Sequence, residues 1–400
     1  QNALVTMNQR ITSIDALRGL VMFIMIFVND LASVGDIVPD WMMHYELRHK
    51  DATGMTFVDL VLPAFLFIVG MSIPFALGSR LDNGERIWKT MLHVLQRTGS
   101  LLFIGVLMVN GKPDATHLGW PPTLWVVMMF VSTIFAFGSI KWMRWIGLIA
   151  LLWVGYVWIG PHGERLLTLS PFCLRSQWWG ILGLIGWDYL VGSIVFLVFR
   201  GHRTALLGCM MLLLGLFVAD DAHAFDDCWL AKIVGIGDTL GAQGAITVGG
   251  VLLASILKAP AMPNVMERVR FTLFFIIGTS AGALLLQDAY GINKNAATPS
   301  YCLWACAVTA ALWLMLYLVT DVNRVAAIAK PLSTAGQNVL LAYFLSEALP
   351  FGLDLAHLDK AYHALSQSSL ASALTRATTC GLVLLGVTAG FNRIGFRLRL

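Results

Sequence analysis

Apolar residues run through this chain in stretches close to the ~20 that an α-helix needs to cross a ~30 Å hydrocarbon core. Twelve such stretches recur from end to end, at roughly 13–34, 57–79, 90–110, 123–139, 142–160, 177–199, 204–219, 236–257, 271–287, 301–320, 336–352 and 371–391. They predict an all-α fold, a polytopic membrane helix bundle of about 11 to 12 transmembrane helices. No short-period repeat and no low-complexity linker divides the chain, so residues 1–400 read as a single transmembrane domain with a polar segment at 1–10. A single basic residue, Arg10, precedes an apolar run too long for the core of a signal peptide, and the first helix is expected to stay as an anchor. Met7 reads as a natural start, with residues 1–6 an extension ahead of it.

The polar breaks carry the orientation, because Lys and Arg are retained on the cytoplasmic side of a membrane. With the amino terminus inside, two thirds of the 27 Lys and Arg fall on that side, among them Arg18, Arg80, Arg86, Lys89, Arg97, Arg268 and Arg270. Both termini are therefore expected in the cytoplasm. Asp220, Asp221, Asp226 and Asp227 crowd an outer loop but lack the ligand spacing of a calcium loop, so they read as solvated and no metal is expected.

Composition narrows the class further. The chain is 58% hydrophobic and 12% charged, with a mean hydropathy of +0.74, against about 25% charged residues in soluble proteins. That excludes a soluble multidomain protein, a disordered chain, a coiled coil and a disulfide-rich secreted fold. The net charge is +4 and no run of Lys and Arg forms a nucleic-acid patch, so membrane lipid is the expected partner and nucleic acid is not. Six cysteines are too scattered for a metal site, and a disulfide between Cys173 and Cys228 is left open.

Ionisable and amide groups inside a span are costly, so each is a candidate for function. Asp15 and Arg18 sit three residues apart on the first helix, where they can pair as a structural bridge or an anion-binding rim. Asn29 and Asp30 close the same helix and lead into an outer loop with His44, Glu46, Arg48, His49, Lys50 and Asp51. A histidine there can take a proton or receive an acyl group, or it can be an ordinary polar loop residue. Asp59 opens the second stretch, either as a helix N-terminal carboxylate favoured by the dipole or as a candidate for function. Asp188, Asp238, Gln337, Asn338 and Glu347 lie deeper, lining a polar cavity or bonding helix to helix.

Several stretches then take on a family pattern. Arg10 to Gly19 reads R-I-T-S-I-D-A-L-R-G, Phe27 to Asn29 reads F-V-N, and His49 precedes G-M-T-F-V-D-L-V-L-P at Gly54 to Pro63 and F-I-V-G at Phe67 to Gly70. Leu101 to Asn110, Trp178 to Trp187, I-N-K-N from Ile292 with T-P-S to Ser300, and G-Q-N-V-L-L-A-Y from Gly336 extend the match over most of the chain. The sequence resembles the transmembrane acyltransferases of the heparan-alpha-glucosaminide N-acetyltransferase family, particularly their bacterial relatives.

That resemblance implies transfer of acetyl from cytosolic acetyl-CoA to an amino sugar or glycan on the outer, periplasmic side of a bacterial inner membrane. It implies His49 as the catalytic histidine, Asn29 as a donor to the thioester carbonyl and Asp59 as the carboxylate that orients His49. Acetyl-CoA, as co-substrate, is expected near Asp15, Arg18, Arg97 and Asn338, with the acceptor opposite; a homodimer is left open. The chain departs from the lysosomal members at Trp120 to Trp125, where they carry Leu-Gln-Arg. The alternative reading is a transporter for N-acetylglucosamine or a related sugar, which twelve spans with intramembrane acids would also suit. A structural partner of an envelope sugar pathway is a weaker third.

Overall fold

A lipid environment offers no hydrogen bonds, so each apolar stretch must close its backbone within itself, and helices do so. The computed structural model describes residues 11–35, 37–45, 53–169, 172–174, 178–257, 264–366 and 369–398. In chain order the main helices are α1 (Thr12–Ala32), α2 (Val61–Asp82), α3 (Ile87–Val109), α4 (Pro122–Ala136), α5 (Lys141–Val157), α6 (Gly180–Phe199), α7 (Arg203–Asp221), α8 (Gly244–Ala254), α9 (Val265–Tyr290), α10 (Pro299–Tyr317), α11 (Ala326–Gly336), α12 (Val339–Leu355) and α13 (Leu370–Arg393). A 3-10 turn at Phe57–Leu60 leads into α2, and a π-helical segment at Ile236–Gln243 leads into α8. Among the described residues the only sheet is an antiparallel pair, β1 (Leu167–Leu169) and β2 (Phe172–Leu174), in the connection between α5 and α6.

Among the described residues eight helices are long and apolar enough to cross a membrane, and nine if α11 and α12, bent by 78° at their junction, form one broken span. These make the chain an integral membrane protein. The sequence led to about 11 to 12 spans; α1, α4 and α5 account for the difference. α4 has 15 residues and α5 has 17, while α1 carries Asp15, Arg18 and Asp30 within its 21. Outward faces are apolar, as on α5 with Trp145 and Ile149 and on α9 with Phe274, Ile277 and Leu285. Such faces are stable against lipid and costly against water.

Every residue of α8 is buried, and it packs against α2 at backbone distance. A Cβ on Gly70 would overlap the Thr247 carbonyl, and one on Gly250 would overlap the Phe67 carbonyl. The two glycines thus let the helices touch reciprocally, which is how small residues join membrane helices. α1 is the seam of the bundle: Ile14, Leu17 and Val21 join the core built by α2, α8 and α10, whereas Met22, Met25 and Ile26 join the one built by α4 and α12.

A buried clamp fixes the far end of α1. Arg376 on α13 donates from Nε to Asp30 Oδ2 at 2.9 Å and from Nη2 to Ser33 Oγ at 2.7 Å, while Tyr362 donates to Asp30 Oδ1 at 2.7 Å. Burial, with hydrogen bonds involving Cys380 and Asp30, pushes the Tyr362 phenol above its ordinary range, so it stays a donor. Cys228 is a free thiol, and the Cys173 side chain, with which a disulfide was left open by the sequence, lies outside the described residues.

Candidate functional site

The turn that starts α2 builds the centre of the site. Thr56 is its N-cap and Asp59 its third residue, and each side chain bonds the other's backbone in a capping box. Asp59 divides its two oxygens. Oδ2 accepts from the backbone N–H of Thr56 at 3.0 Å and of Tyr45 at 3.2 Å, and from Thr56 Oγ1 at 3.3 Å. Oδ1 faces His44 Nδ1 at 2.7 Å and Lys294 Nζ at 3.5 Å. The carboxylate is thus both the helix cap and the partner of His44; His49, which the resemblance implied as its partner, lies outside the described residues.

His44 reaches Asp59 because the loop after α1 is anchored on either side of it. Val38, Met42 and Met43 are buried against Leu31, Ala373 and Ala377, and the Met43 carbonyl accepts from Thr56 Oγ1 at 2.8 Å. Lys294 arrives from the turn between α9 and α10. There the Ala296 N–H donates to Asn293 Oδ1 at 3.0 Å, the Asn293 N–H donates to Thr298 Oγ1 at 3.0 Å, and Pro299 occupies the first helical turn of α10. The I-N-K-N run is therefore a folded turn that presents its lysine.

The tautomer follows from donor counting. Lys294 Nζ lies 3.1 Å from His44 Nδ1, and an ammonium has only donors. If Nδ1 were an acceptor for the lysine, its lone pair would face the Asp59 carboxylate across 2.7 Å. With the proton on Nδ1, the ring donates to Asp59, and Lys294 supplies charge to the same carboxylate. Nε2 then carries the lone pair, and it has no hydrogen-bond partner among the described residues.

His44, Asp59 and Lys294 line a cavity of about 670 Å³, together with Asn29 at the end of α1, Trp178 and Trp179 before α6, and Asp238 and Gln243 of the π segment. Asn29 Nδ2 donates to Glu347 Oε1 at 3.4 Å. The π segment is braced by the Gly237 N–H, which donates to Asp220 Oδ2 at 2.9 Å; Asp220, expected in a solvated loop, lies in the last turn of α7 and has a fixed structural task. Such an insertion widens a helix and often marks a functional site.

The structure therefore brings Asn29 and Asp59 together and adds His44 and Lys294. His49 lies outside the described residues. Asp15, Arg18, Arg97 and Asn338 are not in this cavity's lining. Arg18 donates from Nη1 to Asp15 at 3.1 Å and also bonds Ser72, and Arg97 stacks over Tyr189 with its Cζ 4.7 Å from the ring centre. The Asn338 amide donates to the Phe396 carbonyl and accepts from the Leu398 N–H, both at 3.1 Å, and so holds the chain after α13. Of the deeper acids, Asp238 reaches the cavity, while both carboxylate oxygens of Asp188 are buried with no partner among the described residues. The weight of Lys294 was visible only as part of a motif, and His44 only as one polar residue among several in its loop.

Residues 10–145, about a third of the chain, match a family model described as a domain of unknown function, DUF5009. Over 111 residues the chain is 32% identical to heparan-alpha-glucosaminide N-acetyltransferase of Mus musculus, covering 28% of this chain and 16% of that protein. The Homo sapiens protein of the same name is 30% identical over the same number of residues, covering 15% of its length. The match thus spans about one sixth of these relatives, and within it the resemblance read from the motifs is borne out.

Proposed function

We propose that this heparan-alpha-glucosaminide N-acetyltransferase-like protein transfers acetyl from acetyl-CoA on the cytoplasmic side to an amine on a sugar or glycan at the opposite face, in a bacterial inner membrane. The observation that carries the reading is the cavity that gathers Asn29, Asp59 and a histidine beneath a family sequence motif. Its ~670 Å³ falls within the roughly 300–1,000 Å³ typical of small-molecule sites.

Coenzyme A is too highly charged to enter lipid, so its nucleotide stays with Arg18, Arg97 and neighbouring bases while the thin pantetheine arm brings the thioester inward. His49, by its match to the family motif, receives the acetyl group or acts directly on the acceptor. Asn29, at the cavity wall, donates to the carbonyl oxygen as negative charge develops there. Asp59 holds a histidine in one tautomer, the role of the buried carboxylate in a hydrolase triad.

The test uses proteoliposomes of known orientation with acetyl-labelled coenzyme A on the cytoplasmic face. Labelled acetyl-amino sugar is expected only when the sugar is on the opposite face. Movement of unmodified sugar that ignores coenzyme A would overturn the reading in favour of transport.

A further inference from the structure

The proposed reaction needs more than an acyl carrier, because an amino sugar at neutral pH arrives mostly as an ammonium, and that form has no lone pair with which to attack. One group in the cavity is built to solve that problem. His44 is fixed at Nδ1 by its bond to Asp59 Oδ1 at 2.7 Å, and Lys294 closes on the same Asp59 oxygen at 3.5 Å from the other side. Its side chain remains 32% exposed while Asp59 is 1% exposed, so the ring is held from behind and open in front. The three residues come from the loop after α1, the cap of α2 and the turn between α9 and α10, and all three line the cavity.

The geometry points to His44 as a second catalytic histidine, the general base that takes the proton from the acceptor ammonium; this rests on the acetyl-transfer reading above. The steps balance. The N–H bond of the ammonium breaks and its proton goes to Nε2 of His44. The freed amine attacks the acetyl carbon and a C–N bond forms. The bond from that carbon to the leaving group breaks, whether the leaving group is the coenzyme A sulfur or an acylated His49. The leaving group keeps the electron pair and takes the second amine proton. The proton on His44 passes to water at the cavity mouth. Asp59 is the positioning residue in this scheme: it accepts from Nδ1–H and so leaves the lone pair on Nε2, while Lys294 holds the negative charge on Asp59.

The experiment compares two acceptors in the purified full-length protein, glucosamine, which is an ammonium at pH 7, and hydroxylamine, which is already neutral there. In His44→Gln, acetyl transfer to glucosamine is expected to fall by about 10²- to 10⁴-fold, the usual worth of a general base, and transfer to hydroxylamine by less than about tenfold. The retained hydroxylamine reaction shows that the variant is folded. His44→Ala is expected to regain part of its glucosamine activity with added imidazole. Equal losses on both acceptors without imidazole rescue would mark His44 as structural and overturn the inference, as would glucosamine activity near that of the unaltered protein. An unaltered protein inert toward both amines would instead reject the acetyl-transfer reading itself.

Discussion

Replacing Asp59 by Asn keeps the size of the side chain and changes only what its two terminal atoms can accept. In the native site every donor around the carboxylate uses that capacity: two backbone N–H groups and a hydroxyl on one oxygen, an imidazole N–H and an ammonium on the other. An amide has one oxygen, so one side must meet an NH2 group. Turning the NH2 toward Thr56 and Tyr45 would leave two N–H groups without an acceptor, at about 1–3 kcal/mol each, and remove a cap worth ~1 kcal/mol. Turning it toward His44 costs less in folding, because the ring can move its proton to Nε2 and accept at Nδ1. That arrangement removes the lone pair from the cavity. Asp59→Asn is therefore expected to lose about 10²- to 10⁴-fold of amine acetylation, or ~2.7–5.5 kcal/mol of transition-state stabilisation, with a modest fall in melting temperature. Both are measured on the detergent-purified protein, by labelled acetyl transfer and by thermal unfolding. A variant that melts near the native temperature and keeps more than a tenth of the activity would refute the argument.

Other expectations separate support from chemistry. Arg376→Met should destabilise the fold by about 3–5 kcal/mol, since it leaves the Asp30 carboxylate without its cation and with Tyr362 as its remaining side-chain donor; a melting temperature unchanged in detergent would show that the clamp is not structural. Gly250→Val forces a side chain onto the Phe67 carbonyl and should cost about 1–3 kcal/mol, read by the same melt, with no effect there meaning that α2 and α8 separate freely. Asn29→Ala is expected to lower the maximal rate by about 10²- to 10³-fold while leaving coenzyme A binding intact; an unchanged rate would remove Asn29 from the carbonyl. For orientation, single cysteines at positions 295 and 86 should react with an impermeant thiol reagent in intact cells only at 295, and labelling at 86 would reverse the topology.

How much of this was legible in the chain depended on how far apart the cooperating atoms are in sequence. Helices were readable because lipid forces each backbone to satisfy itself locally, and a local rule leaves a local trace. Their number was less so, because α4 and α5 are apolar but short, at 15 and 17 residues, and α1 carries three charged residues within its apolar run. Asp59 was visible as a helix-opening carboxylate because its cap partners, Thr56 and Tyr45, are near it in the chain. Lys294 joins the same carboxylate from 235 positions away, through a turn whose own hydrogen bonds decide where the ammonium points. Asn338 shows the converse. A buried amide near a helix end looked like a ligand group, but the break between α11 and α12 places it against the Phe396 carbonyl and the Leu398 N–H, and satisfying those buried groups is a sufficient reason for an amide there. The same reasoning singles out His44. Its Nδ1 bond to Asp59 accounts for its orientation, and no described residue bonds Nε2, so the use of that lone pair lies in what the cavity lined by His44 binds.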